Sequence, residues 1–424
     1  MTPPATTLPN LWHVFNLGES PYFQDTLGGS GHAYPLTLFV GRNADKSQLL
    51  GTIGGTRSSR QAIGGPPGVG KTTLVQSVKA DAIAAGYFAT DRHVPFYDND
   101  TAEEVLGRLL NTLYDTILAV RPMTAGNTAM QHAQQLVKVA RLTSGGGNIS
   151  VMGVGFGANR SSSPLTPAGA MLTDGPRIMR DLLTLVRNAE AKGVVLHLNN
   201  LENLTEAGTD RAADALRSLR DQVLMLDGLH ILLVGTTAAV FRATGTHTQV
   251  RSVFSTPLTL QPLPIHDVQQ LLTERYKYLA LDGTKPIPPV DPAAVTALYP
   301  LFRGDLRSLL GALEEGVRLL VGSVPTGQSL PINLLRPALR ERYAALLRER
   351  LGEKRQVQME TWATSGPTVA QTQQSLQAAW KLSQSKVSKV LADLERQGYV
   401  IALPRQGKAP TQYVLTGISQ LIYA

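Results

Sequence analysis

The chain has 424 residues, 43% hydrophobic and 17% charged, with a formal charge of +8 and a sequence pI of about 9.6. That length allows two or three domains with packed cores, and the positive charge favours polyanionic partners without naming one. Zero cysteines exclude disulfides, thiolate zinc sites and cysteine nucleophiles. No apolar stretch approaches the ~20 residues of a membrane span and no signal-peptide pattern opens the chain, so a cytoplasmic protein without a membrane partner is expected.

Residues 1–35 are rich in glycine, proline and aromatics (Trp12, Phe15, Tyr22, Phe23) and read as an irregular extension packed on the domain behind it. Phe39-Val40-Gly41-Arg42 follows, then an amphipathic pattern that predicts a helix over 45–53. A short apolar run, Ala62-Ile63, precedes Gly65-Pro66-Pro67-Gly68-Val69-Gly70-Lys71-Thr72, a full match to G-x-x-x-x-G-K-[ST], and Thr73 onward reads as helix. In that setting glycines let the backbone curl until successive N–H groups converge on phosphate oxygens at the positive end of a helix. Lys71 then reaches the outer phosphates, the Thr72 hydroxyl ligates Mg²⁺, and Thr73 continues the first helical turn. The pattern predicts a nucleoside triphosphate site.

Further on, a strand is expected at 93–97 and a helix at 102–120, where Val105, Leu109, Leu110, Leu113 and Ile117 recur at helical spacing. A polar-faced helix should cover 128–142. The composition then turns to glycine and serine over about 143–164, with alternating apolar residues that predict a small inserted hairpin. A hairpin touching nucleic acid or a neighbouring subunit and an inert insertion are both open. Near-continuous apolar runs at 193–198, 230–235 and 257–260 read as buried parallel strands, so the first part is α/β with a parallel sheet. From 265 to about 321 the pattern is helical, Pro325 and Pro331 mark a linker, and helix resumes over 334–356.

P-loop chemistry ordinarily pairs the loop with carboxylates at the end of a buried strand. Here that strand ends Leu198-Asn199-Asn200-Leu201-Glu202. An amide can coordinate through its oxygen but carries no charge and cannot act as a general base. Asn199 is the metal-side candidate; Asn200 and Glu202 are the candidates beside the attacking water. Two readings stay open: a slow or hydrolysis-deficient nucleotide switch, toward which the amide pair leans, and an ATPase whose Glu202 serves as base.

The order Phe39-Val40-Gly41-Arg42, P-loop, Leu198-Asn199-Asn200, Val234-Gly235-Thr236-Thr237 and Gly304-Asp305-Leu306-Arg307 resembles an AAA+ ATPase of the origin-recognition and initiator type. The resemblance covers roughly residues 36–424. It implies ATP and Mg²⁺ as ligands, Val40 and Gly41 on the adenine side, and Gly65 to Thr73 around the phosphates. It implies Arg307 as a lid arginine sensing the γ-phosphate and Thr236 or Thr237 (Thr237 preferred) orienting water. Arg251 becomes a finger onto a neighbouring subunit's nucleotide, with Arg242 competing, and that role requires a homo-oligomer. Asn-Asn in place of Asp-Glu is the departure, and it bears on hydrolysis.

Toward the C-terminus a helix is expected over 368–380, a turn at 381–383, a second helix over 384–396, and strands at 399–403 and 412–415 around a polar tip. This order resembles a winged helix-turn-helix DNA-binding domain. Val387, Val390, Leu391 and Leu394 would face its core. Gln384, Ser385, Lys386, Ser388 and Lys389 would face base edges and phosphates, and Arg405 and Lys408 would touch the backbone from the wing. Some winged helices bind protein, so a protein partner is the alternative to double-stranded DNA.

The expected architecture is therefore an irregular extension (1–35), a P-loop AAA+ core (36–262), a helical lid (263–330) and a winged-helix domain (331–424). The expected function is an ATP-dependent conformational or assembly switch on DNA, in replication initiation or mobile-element targeting. The alternatives are a transposition or plasmid-maintenance regulator assembling on DNA, and a nucleotide-gated defence or signalling switch.

Overall fold

The computed structural model describes residues 9–29, 32–144, 167–403 and 409–423. The hairpin expected at 143–164 lies almost wholly outside those residues, as do Arg405 and Lys408 on the expected wing.

Five strands, β1 (Ser59–Gly64), β2 (Val94–Pro95), β3 (Val194–Asn199), β4 (Leu229–Gly235) and β5 (Leu258–Thr259), form one parallel sheet in the order β2-β3-β4-β1-β5. Period-two alternation divides β1, β3 and β4 between two cores. Ala62, Leu196, Leu198, Ile231 and Leu233 pack beneath helices Ala102–Val120, Thr128–Ser144, Pro167–Asn188 and Glu206–Leu219. Ile63, Val195, Leu232 and Val234 pack on the other side beneath Asn43–Gly55 and Lys71–Ala84. Helix Ala102–Val120 starts at a reciprocal capping box between Thr101 and Glu104, and each of its five expected apolar positions is buried.

A separate core joins helices Ile265–Tyr278, Pro292–Leu298 and Leu306–Leu320 with Trp12, Phe15, Leu17, Tyr22, Phe23 and Leu27. The N-terminal extension thus packs in the lid core rather than on the sheet domain that follows it in sequence. Its aromatics find the deep apolar seat there, and Leu17 forms a bridge to Ala280.

The C-terminal part contains helices Ile332–Arg350, Glu353–Ala363, Gln373–Trp380, Gln384–Arg396 and Gly417–Tyr423, with an antiparallel sheet of β6 (Gln371–Thr372), β7 (Val400–Ala402) and β8 (Gln412–Leu415) in the order β6-β8-β7. Two expectations change here. The single helix expected over 334–356 breaks at Leu351 and Gly352, whose backbones are extended, and the Gln356 amide donates to the carbonyls of Arg348 and Leu351 across the break. Residues 368–370 are not helical: Gln371 and Thr372 pair with β8, and Thr372 caps the next helix through Ser375. The closing helix Gly417–Tyr423, unread in the sequence, contributes Leu421 to the lid core and Ile422 to the C-terminal core.

Candidate functional site

The Gly65–Thr72 loop leaves β1 and enters helix Lys71–Ala84 with Gly68 at φ +74° and Gly70 at φ +91°, conformations that L-residues with a Cβ rarely take. Gly70 is the N-cap and offers no side-chain acceptor, so the first-turn N–H groups remain open to an anion. The Lys71 ammonium is buried and donates to the loop's own carbonyls, Gly65 O at 3.1 Å and Pro66 O at 3.0 Å. Burial pulls its pKa below the usual lysine value; Glu202 opposes that shift and Arg307 adds to it. Lys71 thus shares one cavity with the Glu202 carboxylate, from the turn after β3, and the Arg307 guanidinium of the lid.

Arg42 fixes the loop from outside. It adopts a left-handed backbone at φ +63° and donates through Nη2 to Val69 O at 3.1 Å and to Gln261 O. Gly41 lets helix Ile265–Tyr278 approach, since a Cβ there would stand 2.8 Å from an Asp267 carboxylate oxygen.

A cavity of about 400 Å³ lies over the loop. Val40, the loop from Pro67 to Thr73, Glu202, Thr236 and Arg307 all line it. Asn199, Asn200, Thr237, Gly41, Gly65, Pro66 and Arg251 do not. The Asn200 backbone is left-handed at φ +78°; its amide donates to Phe96 O at 2.8 Å, and its oxygen accepts from Asn203. Asn200 thus ties β3 to the β2 edge. Asn199 Oδ1 is buried with no hydrogen-bond partner. Thr236 N-caps helix Thr237–Gly245, accepting from Ala239 N at 3.2 Å, while Thr237 packs against Gly64. Of the two threonines, the structure brings Thr236 to the cavity. Arg242 is taken up by Asp210, bonded at 2.6 and 2.7 Å, and by Glu206; Arg251 is exposed at the end of helix Thr248–Arg251.

Sequence reasoning missed one wall. Phe23, Gln24, Asp25, Thr26 and Leu27 of the extension line the cavity together with Arg275. No motif marks them; the clustered aromatics were the one available signal.

In the C-terminal part, Val387, Val390, Leu391 and Leu394 are buried, and Gln384, Ser385, Lys386, Ser388 and Lys389 are all exposed on the opposite side of the same helix.

A parallel sheet in this order, with a glycine-rich loop between its first strand and helix and a helical lid over the loop, defines the P-loop fold of AAA+ type. Comparison with known families agrees: residues 38–234 match the model described as AAA ATPase domain, and this segment is an AAA ATPase domain. No curated protein matches the chain. Among solved structures it is similar to the ORC2 protein of Aeropyrum pernix in ADPNP–ADP complexes, at 15% identity over 96% of each chain and a TM-score of 0.47. It is similar to ORC1 of the same organism in complex with DNA, at 13% identity over 91% of this chain and 92% of that one, TM-score 0.42. Drosophila ORC bound to DNA gives 12% identity over 100% and 96%, TM-score 0.44. No helix among the described residues is long and apolar enough to cross a membrane.

Proposed function

We propose that the protein is an ATP-binding switch that holds duplex DNA through its C-terminal part, in replication initiation or mobile-element targeting. The observation that carries this reading is the seat of the lid on the phosphate loop. Asp305 abuts Gly68, and Arg307, two residues on, lines the same cavity as Lys71. A γ-phosphate entering between Lys71 and Arg307 would relieve the repulsion between the two cations and draw the lid toward the loop.

The donor set fits Mg²⁺ carried in on the phosphates. No cluster of three or more acidic, histidine or cysteine side chains exists among the described residues, so the protein supplies few ligands. Thr72 would provide a hydroxyl, as suits an ion that keeps several waters; Asn199, whose buried oxygen has no partner, does not line the cavity. When bound, Mg²⁺ would neutralise developing phosphate charge. Glu202, which lines the cavity as Asp25 also does, is the candidate to take a proton from water; with amides at 199 and 200, turnover would be slow. Arg251, exposed and unengaged by the cavity of its own chain, would serve a neighbouring copy in an ATP-dependent assembly.

The C-terminal helices and antiparallel sheet have the order of a winged helix-turn-helix, and the exposed polar face of Gln384–Arg396 supports DNA as its ligand. The test is duplex-DNA affinity measured across salt concentrations, with and without ATP. The Lys386→Ala/Lys389→Ala double variant should lower affinity and reduce the log–log salt slope by about two. No DNA binding in either nucleotide state would overturn the DNA role and favour a protein partner.

A further inference from the structure

Arg275 lies in the middle of the lid, 5% exposed, and donates through Nη1 to two carbonyls of the N-terminal extension, Pro21 O at 3.1 Å and Phe23 O at 2.8 Å. Its guanidinium carbon stands 3.8 Å over the centre of the Phe23 ring. Tyr34 stacks on the same ring at 3.4 Å with an interplanar angle of 9°. Two groups this close to one ring centre must occupy opposite faces, so Phe23 is sandwiched. Burying a cation without a carboxylate in hydrogen-bonding contact is costly, and here backbone carbonyls and an aromatic face take the carboxylate's place. The arrangement fixes where residues 23–27 run.

Both Phe23 and Arg275 line the cavity that holds the phosphate loop, and so do Gln24, Asp25, Thr26 and Leu27. Gln24 also packs against Gly311, on the lid helix that carries Arg307: a Cβ on Gly311 would lie 3.0 Å from the Gln24 amide nitrogen. With both faces of Phe23 occupied, the ring has none left to stack on a ligand. What else the extension brings to the cavity includes Gln24, Asp25 and Thr26, polar residues suited to reading hydrogen-bonding groups.

We infer that Arg275 is a positioning residue that holds residues 23–27 as the base-reading wall of the nucleotide site, joining recognition of the nucleobase to the helix of Arg307. The inference rests on the ATP-binding reading above and adds to it which part of the chain meets the base. The phosphates, in contrast, are met first by the loop Gly65–Thr72, so their binding should depend far less on the extension.

The test compares ATP with inorganic tripolyphosphate, each with Mg²⁺, by calorimetric titration of the full chain. Arg275→Met should weaken ATP binding at least tenfold and leave tripolyphosphate binding within about twofold, with the preference for ATP over GTP reduced. Tyr34→Leu, which loosens Phe23 while leaving Arg275 in place, should give the same ATP-selective loss in smaller degree, and it serves if Arg275→Met does not fold. Arg275→Lys should recover part of the affinity, since an ammonium can still sit over the ring. Equal loss of ATP and tripolyphosphate binding, or no loss of either, would overturn the inference. Failure of the unaltered chain to bind ATP or tripolyphosphate would instead overturn the ATP reading itself.

Discussion

Asp305 and Gly68 touch across the junction of lid and phosphate loop: a Cβ built on Gly68 would lie 2.1 Å from Asp305 Oδ1. The same carboxylate caps helix Leu306–Leu320, accepting from Ser308 N at 3.1 Å and Ser308 Oγ at 2.6 Å. It therefore cannot swing aside without uncapping the helix that carries Arg307. Gly68→Ala should displace the lid and strain a backbone at φ +74°, at a cost of about 1–2 kcal/mol for the conformation alone. The expected result is at least a tenfold loss of ATP affinity by calorimetry, with the fold intact by circular dichroism.

The roles of Asn200 and Glu202 separate by kinetics. Asn200→Ala removes the tie to Phe96 O and should cost about 1–2 kcal/mol of stability while leaving kcat within threefold. Glu202→Gln should leave stability and ATP affinity unchanged and lower kcat by about 100-fold. Turnover unaffected by Glu202→Gln would remove it as the base.

Arg42→Ala frees two carbonyls, Val69 O and Gln261 O, from one guanidinium. Lost charge-assisted bonds of this kind are worth about 1.5–3 kcal/mol. A fall in melting temperature should accompany a three- to tenfold loss of ATP affinity, because the loop loses its outer clamp rather than a phosphate contact.

Buried bases set the pH response. Burial lowers His230 to about 4 and holds His197 well below the usual histidine value, with Lys79 and His93 adding to the latter. The unfolded chain takes up these protons as pH falls through about 6.5 while the folded chain does not, so stability should decline below that pH. Lys79, buried against Thr90 O and Arg92 O, is lowered to about 8 by burial, with Asp91 opposing. Between about pH 8 and 10.5 the unfolded state binds the extra proton, so this lysine contributes rising stability across that window. Urea denaturation of the chain and of Lys79→Met from pH 7 to 10 should show the upward slope in the former and its loss in the latter.

Much of this was legible because local chemistry forces it. A loop that must wrap phosphate needs Gly68 and Gly70, and that loop marked β1 before it; strands buried on both faces need continuous apolar runs, so β3 and β4 stood out. Helix Ala102–Val120 announced itself by its apolar stripe. What stayed hidden depends on tertiary contacts. Asn200 reads as half of an acidic box until its amide is seen bonded to Phe96 O. Thr236 and Thr237 are equivalent in sequence, and helix capping alone turns the first toward the cavity. Pro21 and Phe23 meet Arg275 across some 250 positions, a pairing that no local pattern encodes.

The closing helix Gly417–Tyr423 returns to the lid, where Gly417 fits so tightly that a Cβ would come within 2.8 Å of Phe302 Cα. The C-terminal part is thereby fastened to the lid twice, through helix Ile332–Arg350 entering it and through this helix leaving it. A single tether makes a pivot, about which a module can tumble; two make an axle. Two attachments leave the C-terminal part less freedom than one, so a movement of the lid would carry that part along with it.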